Sequence, residues 1–130
     1  MTRILVIDDD RSTLLLYEMI LREEGFEVSS AANGPEGLQL MKSKRPDLVV
    51  LDVSMPGMNG LEVLARILAI DRKVPIVLNS GYSFYRKNFL SWSADAYVVK
   101  SADPSELTRT INEVLSRINE RDSRRAASAG

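Results

Sequence analysis

A chain of 130 residues that is 45% hydrophobic and 27% charged is typical of one domain that buries a core of its own. Its 17 basic and 18 acidic residues give a net charge of −1, which does not favour a nucleic-acid or membrane surface built on bulk charge. The absence of cysteine and histidine excludes disulfides, thiolate metal sites, thiol catalysis and a histidine general base. Because no apolar run is long enough for a signal peptide or a membrane span, we expect a cytoplasmic protein.

Strand-like and helix-like segments alternate along the whole chain. Strands are predicted from short apolar runs, and helices from apolar positions three and four residues apart. The predicted order is strand 3–7, helix 11–24, strand 26–31, helix from 34, strand 47–51, helix from 60, strand 75–78, helix 83–91, strand 94–99 and a helix from 104 with apolar positions up to 118. Asp10 and Asp103 are placed as N-caps, Pro104 stands at a first helical position, and Gly25 marks a helix end.

This alternation predicts an α/β fold with a doubly wound, five-stranded parallel sheet and five helices. The common strand order for such a flavodoxin-like sheet is 2-1-3-4-5, which makes the first and third strands neighbours. We expect residues 1–119 to form this single domain. Residues 120–130 carry no pattern and are expected to form a flexible C-terminal tail or a truncated linker.

Two of the predicted strands end abruptly in carboxylates. Asp8, Asp9 and Asp10 follow the first apolar run, and Asp52 follows the third. Because these strands are predicted to be neighbours, the acids converge in one crevice, where like charges cost energy unless a cation lies among them. Asp10 is better explained as a helix cap than as a ligand. One acid near a helix N-terminus would need no further explanation, but two acids opposite Asp52 indicate a site.

A divalent cation and one lysine would balance the charge of Asp8, Asp9 and Asp52. Oxygen ligands in a small site favour Mg²⁺, which usually binds through one or two carboxylates plus a phosphate. Lys100 ends the last apolar run, and Ser80, placed just past the fourth strand, could donate a hydrogen bond to the same group. A carboxylate is a competent phosphoryl acceptor, so the crevice is suited to phosphoryl transfer.

Four separated motifs resemble the CheY-like receiver domains of bacterial two-component response regulators. In chain order they are Ile4-Leu5-Val6-Ile7-Asp8-Asp9-Asp10, Asp52-Val53-Ser54-Met55-Pro56-Gly57-Met58-Asn59-Gly60, Ser80 after the fourth strand, and Tyr97-Val98-Val99-Lys100. The resemblance covers about residues 3–118. It implies a signalling switch that receives a phosphoryl group from a sensor histidine kinase or a histidine phosphotransfer protein. The switch would be read by an output protein or domain not present in this chain.

The resemblance also implies roles for the matching residues. Asp52 would be the phosphoacceptor and would share a Mg²⁺ (or Mn²⁺) site with three other groups. Asp9 would bind the metal directly, Asp8 mainly through water, and Ser54 through its backbone carbonyl. The chain would catalyse only its own phosphorylation and dephosphorylation and would not be a metabolic enzyme.

Further roles concern the change on activation. Lys100 would pair with the acidic crevice or the phosphoryl oxygens, Ser80 would hydrogen-bond the phosphoryl group and move, and Tyr97 would change rotamer with it. Ser54 and Tyr82 would influence the phosphoryl lifetime. The expected output surface comprises the predicted helix 83–91, the strand that follows it and the last helix.

Two residues depart from the family pattern. Ser101 replaces the usual proline after the lysine, and a cis bond before a non-proline residue costs about 3–4 kcal/mol. The Lys100–Ser101 bond is therefore expected to be trans, with a shifted loop. Gly81 replaces a small residue such as alanine and would loosen the loop after the fourth strand.

The aromatic residues cluster, and their role stays open between core packing and a partner-binding face. The six clustered aromatics are Tyr82, Phe84, Tyr85, Phe89, Trp92 and Tyr97. Three other functions compete with the signalling switch: an interaction module that takes no phosphate, a flavin-binding protein, and an aspartate-nucleophile phosphatase. The acids would repel a flavin phosphate, and the phosphatase would need a second acid where this chain has Ser54. The complete set of site residues disfavours the interaction module, although Ser101 leaves it open.

Overall fold

The centre of the structure is a parallel sheet of five strands in the predicted order, β2-β1-β3-β4-β5. The computed structural model describes residues 1–53, 60–81, 94–100 and 103–129. The strands are β1 (Arg3–Ile7), β2 (Glu27–Ala31), β3 (Leu48–Leu51), β4 (Ile76–Ser80) and β5 (Ala96–Val99). Because β1 pairs directly with β3, with Ile7 opposite Leu51, the residues that follow these strands lie side by side.

Helices cover both faces of this sheet. Those in the described residues are α1 (Arg11–Glu23), α2 (Gly34–Lys44), α3 (Gly60–Ile70) and α4 (Ser105–Ala129). The predicted helix 83–91 lies outside the described residues. Within the part of the chain that is described, no helix is both long and apolar enough to cross a membrane.

The start of α1 is held by the cap that the sequence predicts. The carboxylate of Asp10 accepts hydrogen bonds from the backbone N–H of Ser12 at 3.1 Å and from the hydroxyl of Thr13 at 2.9 Å. At the other end of the helix, Gly25 has φ of 92°, a left-handed conformation that glycine adopts at little cost. The cap therefore fixes where α1 begins, directly after Asp8 and Asp9.

The core consists of two apolar layers, one on each face of the sheet, because successive strand residues point to opposite faces. The layer beneath α2 and α3 contains Leu5, Ile7, Ala31, Met41, Val49, Leu51, Val53, Val63, Leu64, Ile67, Val74, Ile76, Leu78, Ala94 and Tyr97. The layer beneath α1 and α4 contains Ile4, Val6, Leu14, Tyr17, Leu21, Val28, Leu48, Val50, Val77, Val98, Leu107, Ile111 and Val114. Both layers end at the carboxyl edge of the sheet, where the acids begin.

The predicted end of the fourth strand is wrong. Ser80 is the last residue of β4 rather than the first residue after it, because pairing with β5 continues to Ser80 opposite Val99. The last helix continues to Ala129, so residues 120–129 are helical, and their expected role as a flexible tail stays a prediction. Extending an existing helix gains a hydrogen bond for each residue added, and alanine and arginine favour the helix. That this segment serves as a linker stays a prediction.

Candidate functional site

Three carboxylates meet at the carboxyl ends of β1 and β3, as the strand order predicts. Asp8 is 2% exposed and Asp52 is 4% exposed, while Asp9 faces solvent. One oxygen from each of the three residues lies within 4.8 Å of the others. The crevice therefore combines two buried acids with one that solvent can reach.

Backbone hydrogen bonds extend the sheet into this cluster. The N–H of Asp8 donates to the carbonyl of Ala31 at 3.0 Å, and the N–H of Asp52 donates to the carbonyl of Ile7, also at 3.0 Å. Oδ1 of Asp8 accepts a hydrogen bond from the N–H of Asp10 at 2.9 Å. The position of the acids is thus determined by the register of the sheet and by the start of α1.

Lys100 places its ammonium group between the two buried acids. Its Nζ lies 2.8 Å from Oδ2 of Asp8 and 3.1 Å from Oδ2 of Asp52. The backbone N–H of Lys100 donates to the carbonyl of Ser80 at 2.8 Å, which continues the β4–β5 ladder. Because β4 lies between β5 and β3, the lysine side chain crosses the end of β4 to reach the acids.

Burial and charge shift the pKa values of Asp8 and Lys100. Burial raises the pKa of the Asp8 carboxyl above its ordinary 3.8, although the hydrogen bonds from Lys100 and Asp10 oppose this. Burial alone would lower the pKa of Lys100, but the hydrogen bonds and charges of Asp8 and Asp52 outweigh it and raise the pKa above 10.5. The lysine therefore stays charged, while Asp8 carries its charge at an energetic cost.

The three carboxylates fit a small divalent cation. Their oxygens are close enough to share one ion, and one lysine cannot balance three negative charges. Carboxylate oxygens are the ligands of hard cations such as Mg²⁺, which keeps several waters, and the exposed side of Asp9 leaves room for them. The residue types and their spacing therefore agree with the predicted metal site.

Comparison with known proteins identifies the family. The sequence profile of the response regulator receiver domain matches residues 4–112. The chain belongs to the response regulator receiver domain family. It is 38% identical over 117 residues to the DNA-binding response regulator MtrA of Mycolicibacterium paratuberculosis, covering 88% of this chain and 52% of that protein. The receiver domain thus spans about half the length of the curated relatives it matches.

Solved structures show the same fold. The response regulator TrrA of Thermotoga maritima, crystallised with Mg²⁺ and BeF, has a TM-score of 0.81 and 43% identity, covering 88% of this chain and 99% of that one. A second structure shows TrrA in complex with the histidine kinase ThkA, with a TM-score of 0.80, 43% identity and the same coverage. A CheY-like receiver domain from Methanospirillum hungatei has a TM-score of 0.86 and 31% identity, covering 93% and 98%.

The remaining predicted residues of this receiver domain lie in different places. Ser80 is fully buried at the end of β4, one strand away from Asp52. Tyr97 is 8% exposed and packs in the layer beneath α2 and α3. Ser54, Tyr82 and Ser101 lie outside the described residues. The same holds for four more of the clustered aromatics, Phe84, Tyr85, Phe89 and Trp92. Their predicted roles stay predictions.

Sequence reasoning missed two residues beside the site, Tyr17 and Asn79. The Nδ2 of Asn79 donates to the hydroxyl of Tyr17 at 2.7 Å, and both side chains are buried. A signal was present, because Asn79 is the one amide in the run 76–79 and lies two residues after Val77 on the same face of β4. Because the predicted strand ends at 78, Asn79 is not placed on the buried face of the sheet, and its contact with Tyr17 is not predicted.

Proposed function

We propose that this receiver domain accepts a phosphoryl group on Asp52 and thereby changes the surface that it presents to an output partner. The donor is a phosphohistidine on a sensor histidine kinase or a histidine phosphotransfer protein. The observation that supports this best is the position of Asp52, which is buried beside the Lys100 ammonium with Asp8 and Asp9 within sharing distance of one cation. We propose the cytoplasm as the location of this exchange.

The chemistry assigns a task to each side chain. An oxygen of Asp52 attacks the phosphorus as the bond to the histidine nitrogen breaks, and the histidine keeps that electron pair. Lys100 then moves its charge toward the phosphoryl oxygens, and the Ser80 hydroxyl donates a hydrogen bond to one of them. Water then hydrolyses the acyl phosphate formed on Asp52, which releases inorganic phosphate and returns Asp52 to its free carboxylate.

Asp9, Asp8 and Asp52, with the Ser54 carbonyl, would hold Mg²⁺ or Mn²⁺. When bound, the ion neutralises charge on the transferring phosphoryl group. Within the described residues, the ammonium group of Lys100 compensates the negative charges of the two buried acids, Asp8 and Asp52. A cation near Asp9 would free the lysine for the phosphoryl group, since the carboxylates would then have another positive partner.

The exposed face of α1 offers a docking surface for the donor. Leu15, Leu16 and Met19 are 67%, 41% and 56% exposed and lie on one side of the helix. The helix begins at Arg11, two residues after Asp9, so this apolar surface lies beside the crevice. We propose that a helical donor packs here. The surface around β5 and α4, on the other side of Asp52, is the proposed output surface.

Incubation with Mg²⁺ and acetyl phosphate tests the function. Wild-type protein and Glu113→Gln, which changes an exposed acid on α4, should each take up one phosphoryl group, and Asp52→Asn should take up none. Uptake should stop when the divalent cation is chelated. A wild-type chain that takes up no phosphoryl group and does not bind Mg²⁺ would contradict the proposal and favour an interaction module without phosphotransfer.

A further inference from the structure

A buried polar pair lies beneath the phosphoacceptor. Asn79 is 1% exposed and Tyr17 is 7% exposed, and both lie in the layer between the sheet and the helices α1 and α4. Apart from Tyr17, the buried hydrophobic residues of that layer are all aliphatic. Their hydrogen bond joins residues 62 positions apart in the sequence.

The register of the sheet places Asn79 next to Asp52. Leu51 pairs with Leu78, so the next residues along, Asp52 and Asn79, are opposite each other and point to the same face. Asp8 is the corresponding residue on β1, because Ile7 pairs with Leu51. Asp8, Asp52 and Asn79 therefore form one row across three neighbouring strands, and Ser80 directly follows Asn79.

The hydrogen bond crosses the sheet under this row. Tyr17 lies on α1, which packs on β1 and β2, whereas Asn79 lies on β4. Since β3 lies between β1 and β4, the two hydrogen-bonded side chains together cross β3 on the face that carries Asp52. Burial raises the pKa of the Tyr17 hydroxyl, and the charges of Lys100, Asp8 and Asp52 all act on it, which agrees with a position beneath the crevice.

The pair has a cost that packing does not explain. Within the described residues, Oδ1 of Asn79 has no hydrogen-bond partner, and a buried polar atom without a partner destabilises the fold. An aliphatic residue at 79 would continue the pattern of Val6, Val50 and Val77 on this face. A costly polar group beside a reactive residue is typical of a position retained for function.

We propose that Tyr17 and Asn79 are a positioning pair that holds the two sides of the phosphoacceptor crevice in register. One side comprises β1 and the start of α1, with Asp8 and Asp9. The other comprises the ends of β4 and β5, with Ser80 and Lys100. This inference rests on the proposed function, because the pair acts on the groups that would transfer and hold the phosphoryl group.

Five variants separate positioning from stability. Tyr17→Phe and Asn79→Val each remove one partner, and the double variant removes both, which should leave the fold as stable as the wild type or more stable. Thr108→Val is a matched control, since it removes a buried hydroxyl on α4 whose oxygen has no hydrogen-bond partner in the described residues. Val114→Ala destabilises the same layer away from the crevice.

The readouts are the rate of phosphorylation by acetyl phosphate, the Mg²⁺ dissociation constant by calorimetry, and urea unfolding. Both single variants and the double variant should be phosphorylated about tenfold more slowly, since small misplacements of reacting groups are costly. Thr108→Val and Val114→Ala should keep the wild-type rate, although Val114→Ala is less stable. Tyr17→Phe alone is decisive if the Asn79 variants do not fold.

The outcomes distinguish the two proposals. If the wild type is phosphorylated and the folded Tyr17 and Asn79 variants match its rate, the positioning pair is contradicted and the proposed function stands. If Val114→Ala slows phosphorylation as much as the double variant, the effect reflects stability and the pair is again contradicted. If the wild type takes up neither phosphate nor Mg²⁺, both proposals fail.

Discussion

The ammonium nitrogen of Lys100 lies 2.8 Å from Oδ2 of Asp8, although two strands separate β5 from β1 in the sheet. The same nitrogen lies 3.1 Å from Asp52, so one cation compensates two carboxylates on two different strands. The lysine side chain is 26% exposed, whereas the two acid side chains are 2% and 5% exposed. Because the two acids are more buried than the lysine, their charges need the lysine as a partner more than its own charge needs them.

Replacement of this lysine should destabilise the fold. Lys100→Met removes the cation from two buried carboxylates and should lower the free energy of unfolding at pH 7 by about 1–2 kcal/mol, a value reduced for the partial exposure of the lysine. Urea denaturation measures this, with the exposed Lys73→Met as the control. Equal stability of the two variants would show that solvent already screens the pair.

The pH dependence of stability should reveal the cost of the Asp8 charge. Its pKa is raised in the folded chain, so between 3.8 and that higher value the folded state binds more protons than the unfolded state. The contribution of Asp8 to stability is therefore fully present below 3.8 and is lost as the pH rises through the folded pKa. Asp8→Asn has no carboxyl group to titrate at this position. As the pH rises from 3.8 through the folded pKa of Asp8, the free energy of unfolding of the variant should therefore fall less than that of the wild type.

Asp10 affects stability in a different pH range and serves as an internal control. Hydrogen bonds from Thr13 and Ser12 lower the pKa of Asp10, so its contribution is lost as the pH falls below 3.8. Asp10→Asn should therefore leave the window above 3.8 unchanged. Identical curves for wild type and Asp8→Asn in that window would contradict the account of Asp8.

Magnesium should stabilise the folded chain through Asp9. At ten times its dissociation constant, Mg²⁺ should raise the free energy of unfolding by about 1.4 kcal/mol. Asp9→Asn should lose most of this increase with little change in stability without metal, because Asp9 is exposed. Asp71→Asn, an exposed acid outside the crevice, is the control and should respond to Mg²⁺ like the wild type. An equal response of Asp9→Asn would place the ion elsewhere.

Much of the fold follows from local signals in the sequence. Short apolar runs locate all five strands, and the acids that follow two of them indicate the crevice because parallel strands bring their carboxyl ends to one edge. Asp10 as a helix cap is equally local, since its contacts lie two and three residues ahead.

The errors have tertiary causes. The extension of β4 through Ser80 depends on the partner strand β5, since pairing rather than hydropathy keeps Asn79 and Ser80 extended. The hydrogen bond between Tyr17 and Asn79 depends on how α1 packs across the sheet, which no local pattern contains. The helical residues 120–129 carry no apolar stripe, so periodicity alone does not indicate them.

The most direct test of the account is the intact mass of the protein after incubation with Mg²⁺ and acetyl phosphate, followed by peptide mapping. We expect a mass increase of one phosphoryl group per chain, located at Asp52 and absent from Asp52→Asn. No mass increase in the wild type, or a phosphoryl group mapped to another residue, would contradict it.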